Sequence, residues 1–224
     1  MSLPIAVLIS GGGSNLQSII EKMEDNILDV DIRMVLSNKA DAYGLKRAEA
    51  YGIPTASLSH KDYSSREEFD AEMVRILKDA GVEAVVMAGF MRIITPVFLN
   101  AFPGKIINIH PAILPSFPGV DGQGDAANYG VQLAGCTVHF VDEKMDHGAV
   151  IIQAAVPAYP GEDVDELRER ILNQEHRILP QAAQWLAEGR LSVEDRFVKL
   201  AEADVELAPT DGKSLVNPPL EKGF

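Results

Sequence analysis

Cysteine is almost missing from this sequence: Cys136 is the only one in 224 residues. No intramolecular disulfide can form, and no cysteine pair is available to hold zinc. Basic residues are also scarce, 20 Lys and Arg against 33 Asp and Glu, for a net charge of −13. So acidic a chain repels the backbone of nucleic acid, which excludes RNA and DNA as general partners. A small anionic ligand is not excluded, because local backbone dipoles hold a phosphate whatever the total charge. No apolar run approaches the ~20 residues that span a bilayer. Residues 1–13 lack the basic segment and cleavage site of a secretory signal. Internal repeats and low-complexity tracts are missing too. These absences lead us to expect a cytoplasmic protein with no membrane partner.

What is present is globular. The hydrophobic fraction is 46% and the charged fraction 24%, as in ordinary soluble domains. A chain of 24.3 kDa is one generous domain, and at this size roughly 70% of the unfolded surface is buried without help from metal or disulfide. We expect a single domain over residues 1–195 and a C-terminal tail over 196–224.

Along the first half, apolar runs alternate with amphipathic stretches. Pro4–Ser10 reads as a strand ending in Gly11-Gly12-Gly13, and Leu16, Ile19, Ile20 and Met23 then recur at helical spacing. Val30–Ser37, Ile53–Leu58, Glu83–Ala88 and Lys105–Ile109 read as further strands. Between them lie a helix over Ala42–Tyr51 and another capped by Ser64 or Ser65, with Phe69, Met73, Ile76 and Leu77 on its buried face. Repeated strand–helix alternation defines an α/β fold, a doubly wound, mostly parallel sheet with a Rossmann-like N-terminal half. Residues 111–125 hold three prolines and three glycines, too many for a helix or a central strand. Cys136–Val141 and Val150–Val156 read as strands around the polar loop 142–149, and Asp163–Glu188 as a long helix interrupted or bent at Pro180. Residues 201–224, with Pro209, Pro218 and Pro219 and little periodicity, read as a loosely held tail.

Three places can carry chemistry. In Ser10-Gly11-Gly12-Gly13-Ser14-Asn15, glycines allow close backbone approach and the following helix start attracts an anion. The loop is not a Walker motif, and Leu16 stands where the dinucleotide fingerprint has its third glycine. A monophosphate fits better than a dinucleotide; a tight turn with no ligand is the bland alternative. In Asn108-Ile109-His110-Pro111, strand alternation puts Asn108 and His110 on one face at a strand's C-terminal end, where open α/β sheets bind ligands. An amide and an imidazole there can stabilise an oxyanion, or simply pin the proline loop that follows. The acidic loop from Asp142 to Gly148 is by composition a solvated connection, with Asp146 distinguished only by its place before a flexible glycine. Histidine spacing gives no metal site, and no G-x-S-x-G elbow is present.

Taken in order, "VLISGGGSNLQ", "VLSNKADAYGLKRA", "VMAGFMRIITPVFL", "IINIHPAILPSFPG", "GCTVHFVDEKMDHGAVI" and "NQEHRILP" resemble the glycinamide ribonucleotide transformylases, folate-dependent formyltransferases of purine synthesis. The resemblance covers about residues 3–193. It implies transfer of a formyl group from 10-formyltetrahydrofolate, a co-substrate, to the amine of glycinamide ribonucleotide, without metal. By matching position, Asn108, His110 and Asp146 are the catalytic trio. Gly12, Gly13, Ser14 and Asn15 match the phosphate loop, Pro111 lies at the substrate, and Glu175 matches the ribose contact. Arg66, Met91, Arg92, Ile93, Ile94, Val141 and Asp142, with Asp146, match positions that hold the folate. Leu114-Pro115 falls where the family carries a cis peptide. The implied partners are these small molecules alone, for a monomer or homodimer.

The chain also departs from the pattern it resembles. Where most relatives read Gly-x-His it has Gly119-Val120-Asp121, and an Asp121 beside Asp146 would raise one carboxyl pKa and move the acid limb of the rate. Gly122-Gln123-Gly124 implies a mobile segment, and His147 stands where relatives carry a small residue, a partial stand-in for the missing imidazole. Three related enzymes share the trio. The 10-formyltetrahydrofolate hydrolase adds an N-terminal regulatory domain, the methionyl-tRNA enzyme a basic C-terminal one, and sugar formyltransferases lack this glycine loop. The start of strand one by Pro4 and the acidic residues Glu202, Asp204 and Glu206 fit none of them as well.

Overall fold

The computed structural model describes residues 2–209 and 212–224. The chain forms two compact units, one of residues up to Asn108 with Val141–Glu143, the other of Ile109–Phe140 with residues from Lys144 onward.

In the first unit, strands β1 (Leu3–Ile9), β2 (Val30–Ser37), β3 (Thr55–Ser57), β4 (Ala84–Met87) and the start of β5 (Ile106–His110) pair in the order β5-β4-β1-β2-β3. Every pairing among them is parallel. Ile5 through Ile9 are all fully buried, as expected of a central parallel strand covered on both faces. One face packs Ala6, Leu8 and Val85 against Phe69, Met73 and Leu77 of α3 (Arg66–Asp79) and Phe98 of α4 (Pro96–Ala101). On the other, α2 (Tyr43–Ala50) approaches so closely that a Cβ on Gly44 would lie 2.4 Å from Ile9 Cδ1. The doubly wound, mostly parallel sheet expected from the sequence is therefore present. Helix α1 (Ser14–Glu24) buries Leu16, Ile19 and Ile20, the spacing that marked it. Both candidate serines serve α3: Ser65 Oγ accepts from Glu68 N, while Ser64 donates to Glu68 Oε2 at 2.7 Å. The six-residue α4 was not expected, being too short to show a period.

In the second unit, β6 (Leu133–Phe140), β7 (Val150–Pro157) and β10 (Leu215–Asn217) pair antiparallel in that order, and β8 (Leu191–Glu194) with β9 (Phe197–Leu200) makes a separate hairpin. Three expectations are corrected. Residues 122–125 are helical, opening α5 (Gly122–Tyr129), because Asp121 caps the first turn and Gly122 and Gly124 fit where a larger residue would not. Helix α6 (Val164–Ala187) runs unbroken past Pro180, which is buried among its neighbours. The expected interruption is therefore absent, the helix losing at Pro180 one backbone donor. The end of the tail is not loose either. Glu221 accepts hydrogen bonds from Trp185 Nε1 at 2.9 Å and Arg190 Nη1 at 2.8 Å, and its N–H donates to Gln181 Oε1 at 2.8 Å. A buried carboxylate satisfied by these partners anchors the chain end beside α6.

Candidate active site

In the first unit the glycine loop leads from β1 into α1. Gly13 occupies left-handed backbone space at φ 72°, and α1 begins without a side-chain cap. A Cβ on Gly13 would lie 2.6 Å from Gly44 Cα, so glycine is required for both conformation and space. Gly44 N–H donates to Gly11 O, and Arg47 Nε donates to Gly12 O at 2.9 Å. Arg47 Nη1 also reaches Gln17 Oε1 at 3.3 Å. Gly44 and Arg47 were not singled out from the sequence, although they lie inside the second quoted motif; their partners are many residues away and leave no local signal. The result is a loop whose helix-start N–H groups suit an anion, braced by a cation from α2.

The segment after β4 is braced by α3. Arg66 Nη2 donates to Ile93 O at 3.0 Å, the Arg92 guanidinium lies 5.3 Å from the Phe69 ring centroid, and Thr95 N–H donates to Asp70. Burial pushes the Asp70 carboxyl above its ordinary value, against the pull of Thr95, Arg66 and Arg92. Ser10 ties this segment to the glycine loop: its hydroxyl donates to Asn38 Oδ1 and accepts from Met91 N–H at 2.8 Å. Asn38, where a dinucleotide site has its acid, is thus a structural partner of Ser10. Met91 and Ile93 are exposed, whereas Ile94 is buried in the core cluster. Val141 packs against that cluster and donates its N–H to Ile106 O, leaving Asp142 half-buried beside it.

At the end of β5, Asn108 is half-buried and pairs in register with Met87; His110, two residues on, is 3% exposed. His110 Nδ1 lies 3.5 Å from Asp146 Oδ2, and His110 Nε2 lies 2.8 Å from Phe117 O. A carbonyl only accepts, so Nε2 carries the proton and donates. The second unit thus brings together two members of the expected trio, His110 and Asp146, although they are far apart in sequence.

Asp146 adopts φ 50°, a left-handed conformation that aspartate tolerates better than most residues, and Oδ2 accepts from Gly119 N–H at 2.8 Å. His139 faces it from β6, Nε2 at 3.9 Å from Asp146 Oδ1, while its Nδ1 contacts Phe140 O. His139 lies within the quoted "GCTVHFVDEKMDHGAVI" stretch, where nothing local sets it apart.

The loop after His110 is fixed from β6 and β7. Thr137 Oγ1 donates to Ala112 O at 2.7 Å and accepts from Leu114 N–H, while Gln153 Nε2 donates to both Leu114 O and Thr137 Oγ1. Pro111 is half-buried at its start, and Leu114–Pro115 is cis as the resemblance implies. Glu175 is buried on α6; burial and then the Glu175 charge push the Cys136 thiol well up, leaving it inert.

The expectations for Asp121 and His147 are corrected. Asp121 turns its carboxylate to Gly124 N–H and Arg168, and exposed His147 contacts Arg196. Neither is part of the buried His110–Asp146 pair. Among the described residues no group of three His, Cys, Asp or Glu side chains is arranged to hold a metal, and no helix is long and apolar enough to cross a membrane.

A buried imidazole–carboxylate pair at the end of a parallel-sheet strand, on an α/β fold with an anion-suited glycine loop, is the build of a group-transfer enzyme. Residues 3–183 match the formyl transferase family, and the chain belongs to it. It is 43% identical over 191 residues to a phosphoribosylglycinamide formyltransferase of Escherichia coli (strain K12), covering 85% of this chain and 90% of that protein. It is 48% identical over 204 residues to the trifunctional purine biosynthetic protein adenosine-3 of Drosophila pseudoobscura pseudoobscura, covering 90% of this chain but only 15% of that longer protein. Among solved structures, glycinamide ribonucleotide transformylase 1 from Symbiobacterium toebii superposes with a TM-score of 0.88 at 45% identity, over 90% of this chain and 95% of that one.

Proposed function

We propose that the protein transfers the formyl group of 10-formyltetrahydrofolate to the amine of glycinamide ribonucleotide, giving formylglycinamide ribonucleotide and tetrahydrofolate in purine synthesis. The observation that carries this reading is the buried His110–Asp146 pair, two residues beyond Asn108 on β5.

The amine nitrogen attacks the formyl carbon and the carbonyl oxygen takes the negative charge. Collapse breaks the bond to N10 as a proton passes from the attacking nitrogen to N10, so no covalent enzyme intermediate or metal is needed. Asn108 and His110 donate hydrogen bonds to the oxyanion, each such donor contributing ~3–4 kcal/mol. His110 Nε2, which donates to Phe117 O, exchanges that acceptor for the formyl oxygen. Asp146 orients the ring through Nδ1 and helps move the proton, through water where needed.

For the nucleotide, Gly12, Gly13, Ser14 and Asn15 hold the phosphate, Glu175 a ribose hydroxyl, and Pro111 shapes the substrate end. Arg66, Met91, Arg92, Ile93, Ile94, Val141 and Asp142 hold the folate, with Arg92 suited to its carboxylate or pterin edge and Met91 to apolar packing. The reading extends to a cytoplasmic enzyme, monomer or homodimer, with small molecules as its only partners.

The test is folate product formation from 10-formyltetrahydrofolate, followed by absorbance, with and without glycinamide ribonucleotide. Product only in the presence of the nucleotide supports the transferase. Equal turnover without it would make water the acceptor and the protein a hydrolase.

A further inference from the structure

Residues 117–119 touch both members of the buried pair through backbone: Phe117 O accepts from His110 Nε2 and Gly119 N–H donates to Asp146 Oδ2, each at 2.8 Å. Gly122 follows so closely that a Cβ there would lie 3.0 Å from Phe117 O and 3.2 Å from His110 Nε2. Phe117 sits at φ 52°, left-handed space that a large side chain occupies only when its surroundings hold it there. Its ring packs edge-on against Tyr129 of α5 at 5.8 Å, and charge holds the start of that helix. Asp121 Oδ1 caps α5 through Gly124 N–H and also accepts from Arg168 Nη2 at 3.2 Å, while Arg168 Nη1 is fixed on α6 by Asp165 at 2.9 Å.

We propose that Asp121 and Arg168 are a positioning pair, whose ion pair keeps the Phe117–Gly122 segment seated on His110 and Asp146. The kinetic part rests on the formyl-transfer reading; the structural part does not. Seated, the segment covers His110 Nε2 until the formyl oxygen takes its place, and it keeps the Asp146 carboxylate aimed through Gly119. Loosened, it uncovers the imidazole and leaves Asp146 without that N–H. Neither Asp121 nor Arg168 touches the reacting atoms. Their side chains are 55% and 42% exposed, so the pair is screened by salt.

The experiment uses the full unliganded chain and diethylpyrocarbonate, with modification of His110 followed by peptide mass. Asp121→Asn keeps an oxygen for the helix cap but removes the charge; Arg168→Gln removes the other partner. Each is expected to label His110 about two- to fivefold faster at low salt, the range an exposed ion pair allows, and to lower kcat by a similar factor with KM for the nucleotide unchanged. The double variant labels no faster than either single one, Arg168→Lys stays close to wild type, and high salt brings wild type up to the variants. Equal labelling in Asp121→Asn and wild type at low salt, or additive effects in the double variant, would overturn the pairing. Because labelling needs no substrate, it decides the matter even if the protein transfers no formyl group.

Discussion

The two units build their functional parts from different materials. In the first, the anion-suited part is backbone, the glycines at the end of β1 and the start of α1. In the second, the functional groups are side chains, buried His110 and partly buried Asp146, held by carbonyls and N–H groups of the loops around them. Backbone N–H groups recognise an anion without a change of protonation, which suits binding. A buried imidazole and carboxylate can exchange a proton, which suits chemistry. The comparison teaches that binding and turnover should be separable by mutation in this protein.

The largest effect that would break the comparison is expected at Asp146. Asp146→Asn keeps a side-chain acceptor for Gly119 N–H but loses the charge beside His110, and kcat should fall about 10²- to 10⁴-fold with nucleotide affinity unchanged. A matching loss of affinity, measured by calorimetry, would show that the two functions are not separate. Gly13→Ala is the converse. The Cβ meets Gly44 Cα at 2.6 Å in a left-handed position, so nucleotide KM should rise about tenfold or more and stability should drop by about 1–3 kcal/mol, while kcat at saturation stays within a few-fold.

Glu221→Ala sharpens the comparison from outside it. It leaves Trp185 Nε1 and Arg190 without their shared buried acceptor, so thermal unfolding should register a loss of about 3–5 kcal/mol with both KM values unchanged. The smallest effect concerns Asp70. Its folded pKa is raised by burial, so the folded state binds the extra proton and this contribution is fully present below the ordinary carboxylate value. It is lost as pH rises through the raised folded value. Asp70→Asn should remove that increment from the pH dependence of the melting temperature in the weakly acidic range. A profile identical to wild type would contradict the shift.

Legibility in the sequence followed the same division. Apart from short α4, strands and helices of the first unit could be read from local runs and periods, as Leu16, Ile19 and Ile20 mark α1. Even the choice between Ser64 and Ser65 resolves locally: Ser65 caps α3 through Glu68 N–H, and Ser64 holds the Glu68 carboxylate. In the second unit the decisive contacts are long-range. Nothing near Asp121 announces Arg168, nothing near Glu221 announces Trp185, and Pro180 reads as a helix breaker until its packing is seen. The pairing of His110 with Asp146 was accessible only through resemblance to a family, since local composition made the 142–148 loop an ordinary solvated connection. Helix α5 was hidden by its own glycines, which Asp121 caps and which the close packing around His110 requires.

The most direct test of the account measures two quantities on His110→Ala: affinity for glycinamide ribonucleotide by calorimetry, and nucleotide-dependent formyl transfer by absorbance. The account predicts affinity within about twofold of wild type and turnover lower by about 10²–10³-fold, the loss expected when an oxyanion donor is removed. Wild-type turnover would remove His110 from the chemistry. Lost affinity would show that the glycine loop does not hold the nucleotide independently of the His110–Asp146 pair.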